Sequence, residues 1–167
     1  MEDGVVKENY IKISLIQQRE IEMKVLGPVI RAFCIEFGKV KTLELVKSVF
    51  QKIAEQDGRE FGEKYGNGLK VFKEKCVESW HEGNAMDTRY IEDLPEYLCF
   101  DVTRCDYAAL YKKLGFEDIG TAFSCSRDPA FIKGFDDSFE FIRTKTLMEG
   151  GDCCDFCYRK IKGSKHD

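Results

Sequence analysis

Residues 143–158 read RTKTLMEGGDCCDFCY, and this stretch decides the fold. Thr144, Thr146 and Leu147 suit a pleated strand, where β-branched and apolar side chains pack well. Glu149-Gly150-Gly151-Asp152 is turn chemistry, and Cys154, Phe156 and Tyr158 then alternate on a returning strand. The expectation is a C-terminal β-hairpin, with a long strand over 138–148 and its partner over 153–161. Three of the eight cysteines sit just past the turn, with Asp152 and Asp155 among them. A tip so rich in thiols and carboxylates is where function is sought first.

Outward from the hairpin, the period of the sequence changes. EYLCFDVTRC (96–105) alternates with Tyr97, Cys99, Asp101, Thr103 and Cys105 on one side, so it reads as a strand. A short helix over 106–114 follows, ending at Gly115, and 116–123 continues as a second short helix or turn. SCSRD (124–128) precedes Pro129 and reads as irregular, and Phe131 and Phe135 flank Gly134 in a loop. The polar run 81–89 also reads as a loop. The first half is helical. Apolar residues recur at helical spacing over 9–37, with a break expected at Gly27-Pro28, because proline lacks a donor and clashes with the preceding turn. A second helix is expected over 42–64, weakened by Gly58 and Gly62. Gly66-Asn67-Gly68 is a turn, and a third helix covers 69–80. Helices first and strands later predict one α+β domain over 1–167. Its helical half is about 9–80 and its sheet-containing half about 94–161, with N-terminal helices packed on a small antiparallel sheet.

Composition narrows the function classes. The chain has 167 residues, 43% hydrophobic, with thirteen Phe and one Trp, enough for a Phe-rich core. A net charge of −4 with interspersed signs gives no electrostatic case for nucleic acid or an anionic membrane. No run approaches the ~18–20 apolar residues of a membrane span. The acidic, polar start, MEDGVVKENY, is unlike a secretory leader, so the thiols are expected to be reduced in a cytoplasm. The expected partner is a small molecule, and self-association is left open.

Four constellations could carry chemistry. Cys154 and Cys157 form a C-x-x-C, but residues i and i+3 of a strand point to opposite faces, and no second pair completes a zinc site. No metal or other cofactor is therefore expected there. Cys125, with Arg127 and Asp128, could be a nucleophile with polar neighbours, since a nearby cation favours the reactive thiolate. It could equally be a small buried thiol. Cys105 precedes a helix N-terminus, whose dipole favours a thiolate. Cys34 and Cys76 lie on apolar helix faces and read as core. His81 ends a helix and His166 lies in the tail, so proton transfer by carboxylates is more economical than a Cys–His pair.

Three segments resemble a known family: VTRCDYAxLYKKLG (102–115), FSCSRD (123–128) and RTKTLMEGGDxCDF (143–156). Together they are similar to the L-2-amino-thiazoline-4-carboxylic acid hydrolases. The resemblance implies a hydrolase that opens a cyclic isothiourea-type ring to an N-carbamoyl amino acid. It places family positions on Cys105, on Cys125 and Asp128, and on Cys154, Asp155 and Phe156. It implies catalytic roles for Cys125, Asp128, Cys105, Cys154 and Asp155, and substrate binding by Arg127 and Arg143. Two routes follow, attack by Cys125 or water activated by an aspartate, and the covalent route through Cys125 is the one expected. The hairpin's G-x-x-x-C-x-F ending is also similar to small-molecule-sensing domains related to vinyl reductases and to transport-particle subunits. Some of those hold zinc with cysteines, and Thr146 stands where one such cysteine would be. The alternative function is thus a non-catalytic, sensor-like small-molecule-binding domain, with or without a cysteine-bound metal. Cys105, Cys125, Asp128, Cys154 and Asp155 are expected to converge on one pocket.

Overall fold

A computed structural model describes residues 13–161. Asn9, where the first helix was expected to begin, and His166 lie outside them. Helix α1 (Leu15–Phe37) opens on a capping box: the Ser14 hydroxyl accepts from Gln17 N, and the Gln17 side chain accepts from Ser14 N. It runs unbroken through Pro28, contrary to the expected break. The neighbouring Gly27 lies against the Phe116 ring so closely that a Cβ there would sit 2.7 Å from it. Gly38 ends the helix at φ 87°, a conformation glycine adopts without strain. Helix α2 (Lys39–Tyr65) returns alongside. The α1–α2 pair leaves an apolar stripe in solvent, with Ile21, Val25, Val29 and Phe33 four residues apart on α1 and Leu45, Val49 and Ile53 on α2. Helix α3 covers 69–80 and contains a π-helical stretch, Phe72–Val77.

The sheet has four antiparallel strands, β1 (Met86–Leu94), β2 (Tyr97–Cys105), β3 (Phe139–Ile142) and β4 (Cys154–Lys160), in the order β1-β2-β4-β3. Strand β1 was read as part of a polar loop, and the sheet begins at Met86 rather than near 94. It is an edge strand with only Met86, Thr88 and Tyr90 half-buried, so its exposed face reads as loop-like. The chain between β2 and β3 forms α4 (Asp106–Lys113), α5 (117–125, π-helical over Thr121–Cys125) and α6 (Arg127–Phe135).

Helix α6 corrects the expected irregular and looped stretch. Pro129 is the third residue of its first turn, where the missing N–H costs nothing. Gly134 is an approach point rather than a breaker, since a Cβ there would lie 1.9 Å from the Glu55 carbonyl oxygen. Gly58 answers from α2, with a Cβ 2.2 Å from the Phe131 carbonyl oxygen, so it admits α6 rather than weakening α2.

The long strand expected over 138–148 is short. Pairing ends at Ile142, and the chain leaves the sheet through residues 143–146 into a 3₁₀ turn, Leu147–Glu149. Thr146 caps that turn by accepting from Glu149 N. The β3–β4 pair is thus a hairpin with a long connection. Leu98, Phe100 and Val102 of β2 and Cys154, Phe156 and Tyr158 of β4 face inward against α3 and α6. Met23, Ile30, Tyr111, Ile119 and Phe123 form a second core among the helices.

Candidate active site

A cavity of about 270 Å³ lies between these two cores. The sheet provides Val102, Cys105, Cys154 and Phe156, and Arg143 enters from just beyond β3. Helix α6 and the turn before it supply Cys125, Arg127, Asp128 and Phe131. Strand parity puts Cys154 and Phe156 on the inner face. Cys105 needs more than parity. Arg104 pairs with Asp87 and Val102 with Thr88, so Thr103 is an extra residue that bulges β2 and returns Cys105 to the cavity side. A strictly alternating strand would have left it outside with Cys99.

The polar centre is an ion pair. Arg143 Nη1 donates to Asp128 Oδ2 at 2.5 Å, and its Nη2 donates to the Cys125 carbonyl at 2.8 Å. The guanidinium lies 5.0 Å from the Phe156 ring centre and 5.2 Å from that of Phe141, with its side chain 10% exposed. Burial pushes the Asp128 carboxyl up, and Arg143 and Arg127 only partly pull it back. Burial disfavours the charge on Arg143, but Asp128 together with its other neighbours outweighs it and holds the guanidinium charged.

The thiols behave differently from the reactive-cysteine expectation. Burial pushes Cys125, Cys105 and Cys76 up, and Cys154 up to about 11. Backbone N–H groups at the start of α4 pull Cys105 down, but burial outweighs them. Arg143 does likewise for Cys125 and also loses. All four are neutral thiols at neutral pH.

Six of the seven expected residues meet here: Cys105, Cys125, Arg127, Asp128, Arg143 and Cys154. Asp155 does not line the cavity. It points to the outer face and accepts from Thr144 N, Thr144 Oγ1 and Lys145 N at 2.6–2.9 Å. Burial opposes its charge, but those donors prevail and hold it below the ordinary carboxylate range. Cys157 also lies on the outer face, joined to Cys99 directly opposite on β2 with 4.1 Å between the Cα atoms. This disulfide corrects the expectation of wholly reduced thiols. It also separates the two members of the C-x-x-C, Cys154 being inward and Cys157 outward. Among the described residues no group of three or more His, Cys, Asp or Glu could hold a metal ion. His81 hydrogen-bonds Thr88 at 2.9 Å and takes no part in the cavity wall.

Several lining residues went unread in the sequence. Arg19 and Asp57 carry no motif, yet Arg19 lies four residues from both Leu15 and Met23, and Asp57 lies between Ala54 and Phe61 on one helix face. A charge on an apolar stripe was the available signal. Arg127 Nη2 donates to Asp57 at 2.8 Å. Cys76, read as core, is both buried and at the cavity wall; it and Cys125 sit in the two π-helical stretches. The Tyr107 hydroxyl, also on a lining residue, is buried without a hydrogen-bond partner.

Comparison with known proteins fits this geometry. The family model for L-2-amino-thiazoline-4-carboxylic acid hydrolase matches residues 18–158. The chain belongs to this family. No curated protein matches it. Among solved structures, it resembles a trafficking protein particle complex subunit 3 from Naegleria fowleri, covalently bound to palmitic acid. That match has a TM-score of 0.52 and 10% identity, covering 87% of this chain and 96% of the other. The phenol-responsive sensory domain of the transcription activator PoxR, solved with phenol, matches with a TM-score of 0.45 and 8% identity, covering 87% of this chain and 72% of that one. The first likeness shows a shared fold. No helix among the described residues is long and apolar enough to cross a membrane.

Proposed function

We propose that this cavity hydrolyses a small cyclic isothiourea carboxylate of the 2-amino-thiazoline-4-carboxylate type. The observation that carries the proposal is the Asp128–Arg143 pair at the wall of an otherwise largely apolar chamber. Water attacks the ring carbon between sulfur and nitrogen. The carbon–sulfur bond breaks, the water oxygen becomes the urea oxygen, and the sulfur leaves with a proton as the thiol of an N-carbamoyl amino acid. Asp128 in its ionised form takes one proton from the attacking water and passes it to the ring nitrogen; as the tetrahedral carbon collapses it takes the second, from the hydroxyl, and gives it to the departing sulfur. An upward-shifted carboxyl suits both directions of transfer better than an ordinary aspartate does.

Arg143 anchors Asp128 and adds positive charge beside the reacting centre. Cys105, Cys125 and Cys154 shape the chamber, because thiols held neutral by burial are poor nucleophiles. Water activation is therefore favoured over the covalent route. Asp155 acts at one remove, by pinning residues 144 and 145 next to Arg143. The test is to incubate the protein with the thiazoline and follow the carbamoyl product by mass spectrometry. Turnover by wild type that disappears in Asp128→Asn and persists in Cys125→Ser is the expected result. Absence of turnover by wild type favours a second possibility, ligand binding without chemistry, to which the neutral thiols also point.

A further inference from the structure

The Cys125–Arg143 wall has another side. A second pocket of about 350 Å³ opens there, and the same two residues line both spaces. Its character is the opposite of the inner chamber's. Lys47 reaches it from α2, Arg143 and Lys145 from the segment after β3, and Glu149 is the single carboxylate against these three cations. Glu149 is already engaged: the Thr146 hydroxyl donates to its carboxylate at 2.8 Å, and Thr146 is only 4% exposed. Lys145 has its own partner, Asp152, at 2.6 Å, but that carboxylate is 80% exposed and competes weakly with a ligand in a pocket. Arg143, nine-tenths buried, directs Nη1 to Asp128 and Nη2 to the Cys125 carbonyl, so it ties the two spaces together.

A ligand suited to both spaces has a compact ring and one anionic group. We propose that the outer pocket is a carboxylate-capture subsite, in which Lys47 and Lys145 hold the anionic end of the ring substrate while its ring lies on the chamber side of Cys125. This rests on the hydrolase proposal and adds where the charged end is recognised. A subsite of this kind acts on capture rather than on the bond-breaking step.

Calorimetric titration of the full chain tests it with two probes, 2-amino-thiazoline-4-carboxylate and 2-amino-thiazoline without the carboxylate. Wild type is expected to prefer the carboxylate form by about tenfold or more, the scale of one charge-assisted hydrogen bond. In the double variant Lys47→Met, Lys145→Met that preference collapses, while the carboxylate-free ring binds as it does to wild type. Equal binding of that ring also shows that the variant is folded. A preference that survives in the double variant overturns the capture subsite and leaves the hydrolase proposal standing. Failure of wild type to bind either ring overturns both.

Discussion

Cys154 and Asp155 are adjacent on β4, and they belong to different parts of the molecule. The inner face of the strand, with Cys154, Phe156 and Tyr158, borders the chamber and the core. The outer face, with Asp155, Cys157 and Arg159, is a brace: Asp155 ties down the departing chain, Cys157 is joined to Cys99, and Arg159 pairs with Glu140. The lesson is that one residue of strand parity decides whether a carboxylate takes part in chemistry or in scaffolding. Asp128, at the cavity wall, and Asp155, outside it, are shifted in opposite directions by their surroundings. Asp128, desolvated, is pushed up. Asp155, surrounded by donors, is held down.

The largest test of this contrast is Asp128→Asn. Loss of a proton-transferring carboxylate should lower turnover by roughly 10²–10³-fold, read by product formation. The alkaline-rising limb of the wild-type pH profile should lie above the ordinary carboxylate range and vanish with the residual activity. On the outer face, Asp155→Ala should do the reverse. It removes three hydrogen bonds, so stability should fall by about 1–2 kcal/mol. Any loss of turnover should be modest and come through a looser Arg143.

The pH dependence of stability sharpens the same comparison. The contribution of Asp155 is present above its unfolded value and is lost as pH falls through its lowered folded value. That of Asp128 is fully present below the ordinary carboxylate value and is lost as pH rises through its raised folded value. In chemical denaturation, Asp155→Ala should therefore flatten the fall in stability as pH drops below the ordinary carboxylate range, and Asp128→Asn should flatten the fall as pH rises above it. The smallest effect is expected for Cys125→Ser, where turnover should stay within a few-fold, since a neutral thiol lining a chamber is replaced by a group of similar shape. A drop as large as that of Asp128→Asn would restore the covalent route.

The sequence made some of this plain and concealed the rest for physical reasons. Long amphipathic helices such as α1 and α2 announce themselves by their period, and β2 and β4 by alternation. Strand β1 was hidden because only one side of an edge strand is buried, and α6 because Pro129 and Gly134 look like breakers when seen alone. At the site, thiols and charges from three motifs were brought together as expected. Parity alone misplaces Cys105, because a one-residue bulge is invisible in an alternating pattern. Asp155 failed as a cavity residue by the same parity that succeeds for Cys154. Arg19 and Asp57 contribute to the wall from helices that carry no recognisable motif.

The glycine contact between α2 and α6 has a consequence for how this site could change. Gly58 and Gly134 bring two backbones to a separation that no side chain could tolerate. Arg127 and Asp128 sit at one end of α6, and Ala54, Asp57 and Phe61 sit on the facing surface of α2, so the seam works as a gauge for the chamber's width. A single added methyl on either glycine would force the helices apart before any reactive group was touched. Remodelling the chamber for a bulkier ring is therefore expected to begin at residues with no chemistry of their own.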